Sequence, residues 1–508
     1  MKRLTTSGRI SVPVAFLLAS VVLLGVFILM LLPKQERRPG GKVEPLTIYC
    51  AAGIRVPVET IARAYEQAYA VPVRVQLGAS QSLLASLEVA KQGDLYLPAD
   101  DSYLRLARQK GLIAETIPLA RMTAVLAVRR GNPKNIRSLE DLLGKDIKLA
   151  QANPDAAAIG KLTRAALQQT GQWEAVQKRT LVFKPTVSDV AGDIKLGAVD
   201  AGFVWDAVVG QMPELEAVRL PALERAIAHI SVAILRGSRQ PTAALRFARY
   251  LGAAEQGLKE FARQHFEPVE GEDWAATPEL VLYSGAMNRV AVEETIKQFE
   301  EREGVRITRV FNGCGILVAQ MKAGGRPDAY LTCDKSFVTP VADLFPSAPV
   351  EMSDSAIVML VPKGNPKNIR SLADLARRGL RVGVANPEQS TLGALTRRLL
   401  EQGGILASVM TNVVTQTPTA DMLVNEIRTG ALDATVVYVS NTMKVREQLE
   451  VVPLQGPGTV AVQTYSVGQG SKHKQLAARL MEALRSAPSR ARYEQAGFHW
   501  REGTTNAP

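Results

Sequence analysis

Gly131–Leu139 reads GNPKNIRSL, and the same nine residues return at Gly364–Leu372. The offset is 233 residues (364 minus 131), and other segment pairs keep it to within one residue. Two such pairs are LTIYCAAGIRV from Leu46 with LVLYSGAMNRV from Leu280, and GAVDAGFVW from Gly197 with GALDATVVY from Gly430. Self-similarity at a fixed period indicates a repeated structural unit. The sequence therefore predicts a tandem duplication.

The matched segments set the predicted boundaries. Repeat one covers 46–266 and repeat two covers 280–500, and an acidic, proline-containing linker at 267–279 joins them. Within each repeat, short apolar runs alternate with amphipathic segments, which is typical of α/β architectures. The run LTIYCAA is followed by apolar residues at helical spacing, namely Val58, Ile61, Ala62 and Tyr65. With about 220 residues, each repeat is large enough to form two lobes.

The first 45 residues have the character of an anchor and spacer. Residues 12–32 carry no charge, and this length of helix matches the apolar thickness of a bilayer. An uncleaved transmembrane helix is the first interpretation, and a cleaved signal peptide is the alternative. Either leader predicts that both repeats lie outside the cytoplasm. Residues 33–45 then form a polar spacer, and 501–508 form a short tail.

Composition excludes several classes of protein. Three cysteines are too few for a disulfide framework, and the four histidines lack metal-ligand spacing. The net charge of +12 comes partly from the leader, and no basic stripe interleaved with aromatic residues indicates nucleic-acid binding. Nucleophile-elbow, Walker and dinucleotide-binding motifs are absent from the sequence. We therefore predict a protein without enzymatic activity, cofactor, metal or nucleic-acid partner.

The predicted strand-to-helix turns of repeat one indicate what such a protein would bind. These turns lie at 51–55, 78–82, 153–160 and 186–190, and they contain few cations. In open α/β sheets, ligands collect at such turns, where helix N-termini present free N–H groups. Neutral donors of this kind suit an anion. The alternative is that each turn is a plain helix cap.

In their order and spacing, IYCAAG, GASQSLL, GDLYLPADDSYLRLA, the NP…G turn and GAVDAGFVW resemble the periplasmic molybdate/tungstate-binding protein family. The resemblance covers repeat one and, more loosely, repeat two. It implies an α/β fold of two tandem two-lobed periplasmic-binding-protein-like domains, preceded here by one transmembrane helix. In that family the lobes close over a tetrahedral oxyanion and deliver it to an ABC-type importer.

The resemblance also implies the ligand contacts of both repeats. In repeat one they fall at Gly53, Ser80, Ile159, Val190 and Trp205. In repeat two the corresponding places are Met287, Cys314, Leu392, Met422 and Tyr438. Only Ser80 and Tyr438 keep the side chain that the family uses, so neither pocket has the full pattern. Repeat two is therefore expected to bind a different solute, a softer or less charged one, or none.

Four further residues outside these contacts have open interpretations. The resemblance brings Cys314 and Cys333 near the cleft of repeat two, where they are a disulfide, two buried free thiols or a soft-metal site. Cys50 lies within a strand run and is assigned to the core. Asp100 and Asp334 each follow a strand and are assigned to helix capping.

The leading functional prediction is an extracytoplasmic, membrane-anchored solute-binding protein. Its ligand is a small molybdate- or tungstate-like anion, and its partner is an ABC permease. The alternative is a membrane-anchored sensor or scaffold that keeps the binding-protein fold without transport.

Overall fold

A computed structural model describes residues 44–144 and 146–502. The chain divides into a first unit, Met1–Glu44, and a second compact unit, Pro45–Pro508, which contains both repeats. The anchor predicted at 12–32 and most of the spacer lie outside the described residues. Across the described part of the chain, no helix has the length and apolar character needed to cross a membrane.

The strands of repeat one form one continuous set in the order β2-β1-β3-β9-β4-β7-β5-β6, with β8 and β10 also paired to β4. These strands are β1 (Leu46–Ala51), β2 (Val73–Gly78), β3 (Leu95–Leu97), β4 (Ile113–Arg129), β5 (Leu149–Ala152), β6 (Thr180–Lys184), β7 (Ala201–Trp205), β8 (Leu215–Val218), β9 (Ile227–Leu235) and β10 (Glu267–Pro268). Its helices are α1 (Arg55–Tyr69), α2 (Ser80–Ala90), α3 (Ser102–Gln109), α4 (Leu139–Gly144), α5 (Ala158–Gln169), α6 (Trp173–Arg179), α7 (Val187–Leu196), α8 (Asp206–Gly210), α9 (Pro241–Leu251) and α10 (Gly257–Arg263).

Repeat two has the same topology, in the order β12-β11-β13-β19-β14-β17-β15-β16, with β18 and β20 paired to β14. Its strands are β11 (Glu279–Gly285), β12 (Arg306–Asn312), β13 (Ala329–Leu331), β14 (Val350–Pro362), β15 (Val382–Ala385), β16 (Val413–Thr417), β17 (Ala434–Tyr438), β18 (Leu449–Pro453), β19 (Val460–Val467) and β20 (His499–Trp500). Its helices are α11 (Arg289–Glu303), α12 (Cys314–Lys322), α13 (Thr391–Gln402), α14 (Leu406–Met410), α15 (Ala420–Arg428), α16 (Val439–Thr442), α17 (Lys474–Leu484) and α18 (Ala487–Gln495). The identical strand order confirms the predicted duplication.

One long strand divides each repeat into two lobes. Within β4, the segment Ile113–Thr123 pairs with β9, and the segment Ala124–Arg129 pairs with β7 and β8. We define lobe A by β1, β2, β3 and β9, and lobe B by β5 to β8; β14 joins the corresponding lobes of repeat two. The predicted helical face of α1 is buried in lobe A. Ligands of such a fold lie between the lobes.

The nine-residue identity of the two repeats has a local structural cause. Asn132 and Asn365 adopt left-handed backbone angles, φ 44° and φ 46°, which asparagine tolerates better than most residues. The side chain of each then bonds both the N–H and the carbonyl of the residue four positions on, Ile136 and Ile369, at 2.8–2.9 Å. Another residue in place of the asparagine would lose the turn and the hydrogen bonds that close it. We therefore assign the repeated nine-residue stretch to a structural loop.

A buried cluster of charges joins the two repeats. Glu303 at the end of α11 accepts hydrogen bonds from Arg249 of repeat one at 3.0 Å and from Arg479 of repeat two at 2.7 Å. Burial acts to raise the pKa of Glu303, but the charges of Arg479 and Arg249 outweigh it and lower that pKa. At the same interface, Arg302 pairs with Glu115 of repeat one. The repeats are therefore in direct contact as well as joined by the linker.

Candidate functional site

Four helices of repeat one begin around one small cavity between the lobes. Two of them, α1 and α2, belong to lobe A, and a short 3-10 turn at Ala52–Ile54 precedes α1. The other two, α5 and α7, belong to lobe B. Thirteen residues line the cavity and none is charged: Ala51, Ala52, Gly53, Gly78, Ala79, Ser80, Ala99, Ala157, Ala158, Ile159, Thr186, Val187 and Trp205. Small residues dominate the lining, so backbone groups come close to whatever occupies the cavity.

The helix ends at this cavity are mostly uncapped. The residues before three of the helical segments are Ala51, Ala79 and Ala157, and none makes a side-chain capping bond. Since the first N–H groups of a helix have no partner within it, these ends offer donors and the positive end of the helix dipole to the cavity. The fourth helix, α7, is capped by Thr186, which forms a capping box with Asp189. The site is therefore suited to a negative ligand.

Ser80 adds a side-chain donor from lobe A. It is buried, its Oγ accepts the Ala99 N–H at 3.1 Å, and its carbonyl accepts the Tyr96 hydroxyl at 2.7 Å. Because the Oγ already accepts a bond from the protein, its own proton is available to a ligand.

Trp205 and Gly53 have complementary shapes across the cleft. A Cβ atom on Gly53 would lie 3.3 Å from Cδ1 and 3.6 Å from Nε1 of Trp205, and 2.9 Å from Cγ1 of Val187. The indole thus reaches toward the space that a larger residue at position 53 would fill. This explains why repeat one combines a glycine with a tryptophan, where the resembled family has a serine and a tyrosine.

The cavity has the size of one small oxyanion. Its volume is about 20 Å³. A sphere of that volume has a radius of roughly 1.7 Å. This radius is close to the length of the bond between the central atom of a tetrahedral oxyanion and each of its oxygens. A cavity of this size matches a small tetrahedral anion.

Direct contacts between the lobes close repeat one. The Gln81 N–H of lobe A donates to the Ala156 carbonyl of lobe B at 3.0 Å. On the other side of the cavity, the Ser188 hydroxyl of lobe B donates to the Ala52 carbonyl of lobe A at 3.3 Å. Entry and release of a ligand thus require these bonds to open.

Four of the five residues predicted for repeat one lie at this cavity: Gly53, Ser80, Ile159 and Trp205. The prediction for Val190 was wrong as to position. Val190 is the fourth residue of α7 and packs next to Gly202 in the core of lobe B. Thr186 and Val187 occupy the helix start instead. The spacing Thr-x-x-Asp is a capping-box signal and could have identified Thr186 as the residue before the helix.

In repeat two, sulfur atoms occupy the equivalent position. Cys314 begins α12, as Ser80 begins α2, and its Sγ accepts the Cys333 N–H at 3.2 Å. Burial would raise the pKa of the Cys314 thiol, but the Cys333 thiol, the Thr391 hydroxyl, the Cys333 N–H and the Tyr330 hydroxyl, all nearby, lower it to about 7. The bond to Cys314, with burial, raises the pKa of Cys333 well above its ordinary value. Both thiols are free and buried.

The other predicted residues of repeat two divide between the cleft and the surface. Met287 and Leu392 are buried at helix starts, and Tyr438 is buried at the end of β17. Met422 was wrongly placed: it is the third residue of α15, and 46% of its surface is exposed. Thr419, directly before that helix, instead lines a cavity of about 960 Å³ in repeat two, together with Met287. As with Val190, the turn was correctly identified and the residue within it was not.

The remaining assignments agree with the structure. Cys50 is fully buried in β1, where burial raises the pKa of its thiol. Asp100 accepts the Ser102 N–H at 2.9 Å, and Asp334 accepts the Ser336 N–H at 3.0 Å, so both cap the turn that follows. Sequence reasoning missed Thr391 and Tyr330, whose hydroxyls face Cys314. No motif marks them, because they approach it only through the fold.

Comparisons with known proteins find similar sequences and structures. The family model for bacterial extracellular solute-binding proteins matches residues 46–267 and 280–499. The molybdate-binding protein ModA of Mycobacterium tuberculosis is 29% identical over 223 residues, which are 43% of this chain and 84% of that protein. A putative binding protein of Haemophilus influenzae is 26% identical over 226 residues, 43% of this chain and 90% of that protein. The periplasmic molybdate-binding protein of Azotobacter vinelandii aligns with 44% of this chain and 100% of its own length, at 16% identity and a TM-score of 0.39.

Proposed function

The chain belongs to the bacterial extracellular solute-binding proteins, and we propose that repeat one binds a tetrahedral oxyanion of the molybdate and tungstate class. The observation that carries this proposal is the small cavity of about 20 Å³ at four helix starts, lined by uncharged residues. The molybdate-binding relatives support it. The proposal is binding without catalysis: among the described lining residues, no histidine, lysine or carboxylate is present to act as a base on the Ser80 or Thr186 hydroxyl.

The donor set also predicts discrimination among oxyanions. Helix N–H groups, the Ser80 hydroxyl and the Trp205 indole are donors, and no carboxylate among the lining residues can accept a proton from the ligand. Molybdate, tungstate and sulfate are fully deprotonated at neutral pH, whereas inorganic phosphate retains a proton. Since an unpartnered donor proton in a buried site costs free energy, phosphate is expected to bind most weakly.

Isothermal titration tests the proposal. The full-length chain is titrated at pH 7.5 with molybdate, tungstate, sulfate and phosphate. We expect binding of one of the first three anions at one equivalent, with phosphate weakest. Ser80→Ala lowers the affinity, and Ser82→Ala, two residues further along α2 and exposed, is the matched control. Absence of heat with all four anions refutes the oxyanion assignment.

We further propose that the partner is an ABC permease, to which a closed, loaded repeat one presents its solute. Uptake of labelled molybdate by cells lacking this gene provides the test. Loss of uptake that the wild-type gene restores agrees with transport.

A membrane-anchored sensor or scaffold is the second candidate, and the interface between the repeats favours it. Glu303 and Arg479 of repeat two and Arg249 of repeat one form a buried contact that could couple closure of one repeat to the other. Unchanged uptake in the deletion strain, with binding retained by the purified chain, selects this alternative over transport.

A further inference from the structure

The cleft of repeat two contains a pair of thiols that the oxyanion function does not use. The Sγ of Cys333 lies 2.1 Å, and the Sγ of Cys314 lies 3.1 Å, from the point that a Cβ on Gly285 would occupy. The two sulfurs therefore lie side by side over a glycine, and any larger residue there would displace them. Gly285 thus creates the space in which the pair sits.

The thiol pair is buried where its own lobe meets the opposite lobe. Two residues after Cys314, the Ile316 N–H donates to the Gln389 carbonyl of lobe B at 3.3 Å, and Thr391 begins α13 of the same lobe. Burial, and then the charges of Cys333 and Cys314, raise the pKa of Tyr438 at the end of β17 in lobe B. The hydroxyls of Thr391, Tyr330 and Tyr438 are buried and have no hydrogen-bond partner among the described residues. The pair therefore lies where the two lobes meet, and three buried hydroxyls of this part of repeat two are left without an acceptor.

We propose that repeat two binds Cu(I), or an equivalent soft monovalent cation, between the thiolates of Cys314 and Cys333. Thiolates are the ligands that soft cations prefer. Binding exchanges the two S–H protons for one Cu(I) and leaves the metal's oxidation state unchanged. The buried hydroxyls then donate to the bound thiolates, as outer partners of metal ligands commonly do.

Charge and ligand number favour this cation over zinc. Structural zinc takes four protein ligands, and the described residues contain no cluster of three or more histidine, cysteine, aspartate or glutamate side chains. Two thiolates and one Cu(I) form a complex of charge −1. The start of α12 and the start of α13, which lie at this cleft, stabilise a negative charge. The helix ends that suit an oxyanion in repeat one thus suit an anionic copper complex in repeat two.

Competition with a Cu(I) chelator tests the site. The full-length chain is reduced, its free thiols are counted, and Cu(I) is added as the bicinchoninate complex under anaerobic conditions. We expect one equivalent to transfer to the protein, with X-ray absorption showing two sulfur neighbours. Cys314→Ser and Cys333→Ser should each lower the affinity by more than the about 10- to 100-fold that loss of an outer partner costs, whereas Cys50→Ser, at a buried thiol of repeat one, should leave it unchanged.

Three results would overturn the proposal. They are no transfer of Cu(I) to the reduced chain, transfer that is unchanged in the Cys314→Ser/Cys333→Ser double variant, and a metal with nitrogen or oxygen neighbours only. The X-ray measurement uses the wild-type chain, so it decides the question even where a serine variant folds poorly. Because the oxyanion cavity lies in repeat one, failure of either proposal leaves the other intact.

Discussion

Replacing Gly53 by alanine should weaken ligand binding without weakening the fold. Gly53 has no left-handed backbone angle, so alanine is compatible with its conformation and should leave stability unchanged or slightly increased. In the closed cleft, however, the new Cβ lies 2.9 Å from Cγ1 of Val187, which belongs to the opposite lobe. The clash exists only when the lobes close, so its cost falls on the bound state.

The size of this effect follows from the kind of contact. Overpacking by one methyl group costs about 1–3 kcal/mol, which weakens binding by about 5- to 150-fold. Titration with the tightest-binding oxyanion gives the affinity, and the thermal midpoint of the ligand-free chain gives the stability. Val187→Ala removes the atom that clashes, so the loss caused by Gly53→Ala should be much smaller in the Val187→Ala background.

Two outcomes would contradict this reasoning. If Gly53→Ala binds as tightly as the wild type, the cleft does not close as described. If the loss is the same with valine or alanine at position 187, the clash with Val187 is not its cause.

Three further predictions concern the interface and the cavity. Glu303→Gln leaves two buried guanidinium groups poorly paired and should lower the free energy of unfolding in urea by about 3–5 kcal/mol, whereas the exposed Glu301→Gln should not. The folded-state pKa of Glu303 lies below its ordinary value of 4.5. The contribution of Glu303 to the free energy of unfolding is therefore complete above pH 4.5 and is lost as the pH falls through the folded-state pKa. Urea unfolding measured from pH 7 to pH 3 should show this loss for the wild type and not for Glu303→Gln. Thr186→Ala removes a capping bond and should cost about 0.5–2 kcal/mol of stability, while Thr419→Ala, at an equivalent helix start without a side-chain cap, should cost less by thermal melting.

The sequence predicted the repeated architecture because the same segments occur in both repeats and could be compared with each other. The Asn132 loop recurs at Asn365 with the same hydrogen bonds, so both repeats indicate the same backbone. Individual contacts were harder to predict. Val190 was placed one helical turn too far along because a turn of known position still leaves the first helical residue undefined. Thr391 could not be predicted as a neighbour of Cys314, since the contact spans 77 residues and depends on closure of the lobes.

The two clefts show how one backbone supports different ligand chemistries. Ser80 and Cys314 occupy equivalent helix starts, and replacing an oxygen by a sulfur changes a weakly acidic donor into a group that ionises and binds soft metals. The positive helix ends are the same in both repeats, and they favour a negative charge in each. In repeat one that charge must come from the ligand, because the cavity lining has none. In repeat two the protein itself can supply it as thiolates, so the partner that completes the site is a cation.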